Sequence, residues 1–70
     1  MEAYRYVTFE TTTDAIAFEK RARELSIPGR IIPTPREIRA TCGLSFRIPA
    51  DDYERCRETI DGLDILFTVQ

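Results

Sequence analysis

Two strand-helix-strand patterns follow one another within this chain of 70 residues. Alternating or β-branched stretches predict strands over residues 4 to 9, 30 to 33, 44 to 48 and 65 to 69, while apolar stripes of helical period predict helices over residues 12 to 26 and 49 to 61. The order β-α-β-β-α-β predicts an α+β, ferredoxin-like plait, in which one four-stranded antiparallel sheet carries both helices on one face. We expect a single domain over residues 1 to 70.

Both predicted helices have recognisable ends. Thr11 suits the N-cap of the first helix and Asp14 its N3 position, so that hydroxyl and carboxylate can bond to amides of the first turn. Pro28 and Gly29 disfavour helical backbone beyond Ser26. The second helix opens with a proline, has two carboxylates in its first turn and ends at a glycine: Pro49, Asp51, Asp52 and Gly62.

The plait leaves one face of the sheet without helices. If Val7, Phe46 and Ile48 point toward the helices, the pleat turns a second set of side chains to the open face: Tyr6, Thr8, Ser45 and Arg47. A small core and an uncovered face that bears tyrosine favour association, so we expect a homodimer or higher assembly that uses this face or the edge of the last strand.

Charge is distributed unevenly along the chain. Residues 29 to 48 contain four arginines and one glutamate, a net charge of +3, whereas the remainder contains six basic and eleven acidic residues, a net charge of -5. An anionic ligand or a thiolate is therefore favoured in residues 29 to 48 over the rest of the chain.

The connection between the second and third strands has its own signal for a short helical turn. Four residues carry it, and we assign them structural roles: Pro33, Thr34, Pro35 and Glu37. The first proline suits the end of an edge strand, the threonine an N-cap, the second proline the first helical position and the glutamate the third, which completes a capping box. We expect a short helical turn over residues 35 to 41.

Cys42 ends this connection, and its spacing allows two interpretations. The first is a functional thiol: the end of a short helix disfavours a thiolate, but Arg36, Arg39 and Arg47 are close in sequence and could offset that effect. The second is a packing role, because Cys42 lies four residues after Ile38 and both could face the core of a continuing helix.

Cys56 is predicted to pack, since it shares the apolar stripe of the second helix with Tyr53 and Ile60. The first residues lack the basic region and apolar core of a secretory signal, and no apolar run could span a bilayer. We therefore expect a cytoplasmic protein without membrane contact, whose cysteines are free thiols.

The composition excludes several chemistries. The chain has no histidine, which removes Cys-His and Ser-His-Asp machinery and most metal sites. Its three glycines are isolated from one another, so there is no Gly-rich phosphate loop. We expect no metal and no cofactor, and a self-contained enzyme is disfavoured.

The run IPGRIIPTPREIRATCGLSFRI, residues 27 to 48, resembles a family of small bacterial proteins described as selenium/sulfur-carrier-like. The motif of that family is IPTPR followed by Cys-Gly between the second and third strands, and then an alternating apolar-Arg strand. Seven residues match it: Pro33, Pro35, Arg36, Cys42, Gly43, Leu44 and Arg47. Ala40 and Thr41 stand where the family usually has small residues such as Ser or Gly.

The resemblance implies a carrier that accepts sulfur or selenium on Cys42 and passes it on. It implies two protein partners, a cysteine desulfurase as the donor and an acceptor protein. The residues expected to hold the anionic persulfide are Arg36, Arg39, Arg47, Thr41 and Gly43.

The alternative is a non-catalytic module that binds a small anion at the arginines, or a protein partner. Plaits also occur in RNA-binding domains, whose third strand has a basic residue, a glycine and then an aromatic. In this chain Cys42 replaces the basic residue and Leu44 the first aromatic, and the net charge is negative. We therefore expect no nucleic-acid partner.

Overall fold

The computed structural model describes residues 3 to 38 and 43 to 70. Its elements follow the predicted order: β1 (Tyr4–Thr8), α1 (Thr12–Glu24), β2 (Arg30–Pro33), β3 (Leu44–Pro49), α2 (Ala50–Asp61) and β4 (Thr68–Val69). Within the described ranges, the helices are too short and too polar to cross a bilayer.

The strands form one antiparallel sheet in the order β2-β3-β1-β4. β1 and β3 are the central pair, with Val7 opposite Phe46. Ile31 of β2 lies on the other side of Phe46, and Val69 of β4 lies on the other side of Val7. The α+β fold with a four-stranded antiparallel sheet and two helices, as in a ferredoxin-like plait, is thus confirmed.

The last strand is shorter than the sequence predicts. Pairing with β1 begins only at Thr68, and Gln70 continues it by exchanging backbone hydrogen bonds with Tyr6. Ile65 and Phe67 belong to the segment that leads from α2 to the sheet edge, and they pack against the core. Their apolar character therefore reflects packing, which the sequence pattern does not separate from strand pairing.

The core lies between the helices and one face of the sheet, and Phe18 of α1 is at its centre. This side chain is fully buried, and its ring centroid lies 5.3 Å from that of Phe9, 5.1 Å from that of Phe46 and 5.5 Å from that of Phe67. Inclined rings at such separations attract one another beyond the area they bury. The other buried apolar residues are Val7, Ala15, Ala22, Ile27, Ile48, Tyr53 and Ile60.

The two helices begin in different ways. The hydroxyl of Thr11 accepts a hydrogen bond of 3.1 Å from the amide of Asp14, so the predicted N-cap of α1 is confirmed. Pro49 precedes α2 and makes no side-chain capping bond; an ion pair between Asp52 and Arg55 lies in the first turns instead. Carboxylates in the first turn of α2 favour its start through the helix dipole.

The turn from α1 into β2 requires a glycine. Gly29 has a φ of +137°, and a Cβ atom at this position would lie 2.5 Å from the carbonyl oxygen of Arg47 and 2.5 Å from Cε1 of Phe46. No other residue type fits such a position without a shift of the neighbouring strand. Gly29 therefore lets the chain enter β2 in direct contact with β3.

The open face of the sheet is less exposed than an uncovered face would suggest. Thr8 and Ser45 point away from the core side chains Val7 and Phe46, yet both are buried. The hydroxyl of Thr8 donates to the carbonyl oxygen of Thr68 at 3.3 Å, and the hydroxyl of Ser45 bonds to another hydroxyl group, described below. Hydrogen bonding offsets the cost of burying these polar groups.

Candidate functional site

The backbone closes the connection between β2 and β3 at its base. Pro33 pairs with Leu44 at the end of the ladder, and the amide of Thr34 donates to the carbonyl oxygen of Gly43 at 2.9 Å. The sheet therefore holds Thr34 and Gly43 next to each other, and the stretch of sequence between them, residues 35 to 42, is called the hairpin loop below. Cys42 belongs to this loop and is joined directly to Gly43 in the sequence.

A second contact lies just below the loop on the open face of the sheet. The hydroxyl oxygen of Thr34 is 2.7 Å from that of Ser45, and Ser45 is fully buried. Because Thr34 directly follows β2 and Ser45 belongs to β3, this hydroxyl pair links the two ends of the loop a second time. The sequence assigns Thr34 to a capping box and does not reveal its contact with Ser45, which depends on the register of two strands.

The predicted helical turn begins where the capping signal places it. The amide of Ile38 donates to the carbonyl oxygen of Pro35 at 3.0 Å, which closes one turn. Arg36 and Glu37 lie within that turn and are exposed. The rest of the predicted turn lies outside the described residues, as do the site residues Arg39, Thr41 and Cys42.

Arg47 lies at the other end of β3. Its guanidinium carbon is 4.5 Å from the centroid of the Tyr4 ring, a distance typical of a cation–π contact. Tyr4 pairs with Pro49, which is further from Gly43 than Arg47 is. The side chain of Arg47 is therefore directed away from the hairpin loop, so the structure separates Arg47 from Arg36.

The second cysteine is in a different setting. Cys56 is a free thiol on α2, half-buried, and it packs against the edge of the core. Tyr53 and Ile60, which share its helix face, are buried. The packing role that the sequence predicts for Cys56 matches this position.

Nothing in the described ranges is arranged to hold a metal ion. Residues 3 to 38 and 43 to 70 contain no cluster of three or more cysteine or carboxylate side chains with metal-site geometry.

The fold and the sequence together define a class of protein: a plait whose sheet anchors a hairpin loop with one cysteine and two arginines in its sequence. Residues 4 to 68 match the model of a family described as "Putative Se/S carrier protein-like". The match covers nearly the whole chain, so the protein belongs to this family, as the motif in residues 27 to 48 predicts. No curated protein and no solved structure shows a significant match to the chain.

Proposed function

We propose that the protein carries sulfur or selenium on Cys42 and relays it between two partner proteins. The observation that carries this proposal is the hydrogen bond from Thr34 to Gly43, in a member of the carrier family. It closes the loop at a residue covalently bonded to Cys42, so the thiol belongs to a short segment with a fixed base. A relay thiol must be reached by two proteins in turn, and a hairpin loop at the end of a sheet suits that requirement.

The loading step needs no oxidant and no general base. The Cys42 thiolate attacks the outer sulfur of a persulfide on the donor, a cysteine desulfurase. A sulfur–sulfur bond forms at Cys42 as the sulfur–sulfur bond of the donor breaks, and the donor cysteine leaves as a thiolate. In the unloading step a nucleophile of the acceptor attacks the terminal sulfur, and the Cys42 thiolate leaves.

The arginines of the loop favour this chemistry through their charge. Both the reacting thiolate and the bound persulfide are anionic, and nearby guanidinium groups stabilise negative charge. Arg36 is exposed in the turn at Pro35, and Arg39 belongs to the same loop. We assign the stabilising role to these two residues, while Arg47 faces Tyr4 at the far end of β3.

Sulfur loading can be measured directly. We expect wild type and Cys56→Ser to gain one sulfur atom by intact mass after incubation with a cysteine desulfurase and cysteine, and Cys42→Ser to gain none. Cys56→Ser is a matched control because it removes the other thiol by the same change. Loading of Cys42→Ser, or no loading of wild type, would contradict the proposal.

The homodimer remains a prediction of the sequence. A dimer that uses the open face would bring together the half-buried rings of Tyr4 and Tyr6 from two copies. Light scattering at roughly 100 μM, where a weak interface should be populated, tests it; a monomer at that concentration would contradict it.

A further inference from the structure

Arg30 and Arg47 lie directly opposite each other in the ladder between β2 and β3. Paired strands are about 4.8 Å apart, and like charges on directly opposed residues destabilise a sheet. The register also places Arg30 and Arg47 on the open face, because their neighbours Ile31 and Phe46 face the core. The sheet thus brings two cations together in a way that an anion would stabilise.

The described part of the chain supplies no carboxylate to this pair. The arginines that form ion pairs there belong to the two helices: Arg21, Arg23, Arg55 and Arg57. Arg47 stacks on Tyr4 instead. A contact with an aromatic face does not use the N–H donors of a guanidinium, so those of Arg47 remain available to an anion.

A cavity of about 220 Å³ lies among these side chains. It is lined by Tyr4, Gly29, Arg30, Arg47 and Pro49, none of them acidic. Sites for drug-sized ligands have volumes of roughly 300 to 1,000 Å³. The cavity is therefore suited to a small anion or to the anionic group of a larger molecule.

We propose that this cavity binds a phosphate-like oxyanion, either inorganic phosphate or the phosphate group of a small phosphomonoester. A guanidinium binds such a group through two parallel N–H···O bonds. Two arginines match the charge of a phosphomonoester, about -1.5 to -2 near pH 7. The stacked Tyr4 holds one guanidinium in place before the ligand arrives, which lowers the ordering cost of binding.

The oxyanion site is separate from the hairpin loop. Arg47 follows Gly43 by four residues on one strand, a distance of roughly 13 Å. Tyr4, which orients Arg47, pairs with Pro49 still further along β3. The inference therefore goes beyond the carrier function and does not depend on Cys42.

Titration of the ¹⁵N-labelled protein with inorganic phosphate, at constant ionic strength set by chloride, tests the site by NMR. We expect saturable shifts at Gly29, Arg30 and Arg47. Arg30→Gln and Arg47→Gln should each weaken binding by about tenfold, since each removes a charged hydrogen-bond donor. The matched control Arg57→Gln changes the net charge equally on α2 and should bind within about twofold of wild type.

Each outcome decides the proposal. The proposal would be overturned by shifts that do not saturate, or by a loss of phosphate affinity in Arg57→Gln as large as in Arg30→Gln and Arg47→Gln. General charge attraction would then explain the effect. Phenyl phosphate is the second probe: tighter binding than phosphate identifies an organic phosphate as the ligand, and binding of inorganic phosphate alone identifies the free anion.

Cys42→Ser should bind phosphate like wild type, so the oxyanion site and the carrier proposal can fail independently. The dispersion of each spectrum shows whether the variant is folded, and the two arginines lie on different strands, so loss of one variant leaves the other as a test.

Discussion

The two faces of the sheet differ in what holds them together. On the helix-covered face, Phe46 and Val7 pack against the fully buried Phe18. On the open face the contacts are polar or cationic, as in the hydroxyl pair of Thr34 and Ser45 and the stacking of Arg47 on Tyr4. The difference teaches that this small domain concentrates its apolar packing on one face of the sheet and leaves polar and cationic side chains on the other.

Phe18→Ala should have the largest effect on stability. It removes the ring at the centre of the aromatic cluster, and such substitutions cost about 3 to 5 kcal/mol, which is a large fraction of the stability of a domain this small. The free energy of unfolding can be measured by urea denaturation. Phe18→Leu, which leaves a smaller cavity and should cost less than Phe18→Ala, provides a folded comparison if the alanine variant does not fold. A loss below about 1 kcal/mol in Phe18→Ala would show that the helix-covered face does not dominate.

Gly29→Ala should have the second largest effect on stability, because it introduces a clash with β3 at the point where the chain enters β2. The added methyl group would overlap the ring of Phe46 and the carbonyl oxygen of Arg47, and overpacking of this kind costs about 1 to 3 kcal/mol. Urea denaturation again measures the change. Gly62→Ala is the control, since Gly62 has no positive φ and its nearest contact would be 3.4 Å. Equal losses at the two glycines would contradict the close approach at Gly29.

Ser45→Ala should cost about 1 kcal/mol, the net value of one hydrogen bond. The variant breaks the hydroxyl contact with Thr34 below the hairpin loop, so we also expect faster amide hydrogen exchange at Thr34. Thr68→Ala is the matched control, because it removes an exposed hydroxyl group from the same face and should change stability by less than about 0.5 kcal/mol. Unchanged exchange at Thr34 would mean that the hydroxyl pair does not hold the base of the loop.

Replacing Arg36 and Arg39 together by glutamine should change stability least, by less than about 0.5 kcal/mol, while slowing alkylation of Cys42. With less positive charge nearby, a smaller fraction of the thiol is ionised near neutral pH, and we expect the rate with iodoacetamide to fall by roughly two- to fivefold. The rate is best measured in the Cys56→Ser background, so that one thiol reacts. Arg55→Gln with Arg57→Gln makes the same charge change on α2; an equal slowing there would argue against a local effect of the loop arginines.

Local sequence signals predict the helices and strands of the fold. They do not predict side-chain contacts that depend on the register between paired strands. The alternation of Leu44, Phe46 and Ile48 and the cap at Thr11 are properties of a few adjacent residues, so they could be interpreted directly. The contact of Thr34 with Ser45 and the stacking of Arg47 on Tyr4 join different strands, and their geometry follows from how the strands pair. The sequence therefore groups Arg47 with Arg36 and Arg39, whereas in the structure the side chain of Arg47 is directed toward Tyr4.

The same register limits how copies of the chain can associate. β2 is an edge strand. The amide of Thr34 points inward to Gly43, so the backbone nitrogen of the preceding residue, Pro33, lies on the outer side of the strand. A proline nitrogen has no hydrogen to donate there. The exposed Arg30 places a charge at the opposite end of that strand. Proline and charge on an edge act as gatekeepers against strand-to-strand aggregation. The β2 edge is therefore a poor template for extending the sheet into a neighbouring molecule, which leaves the short β4 as the edge open to such pairing.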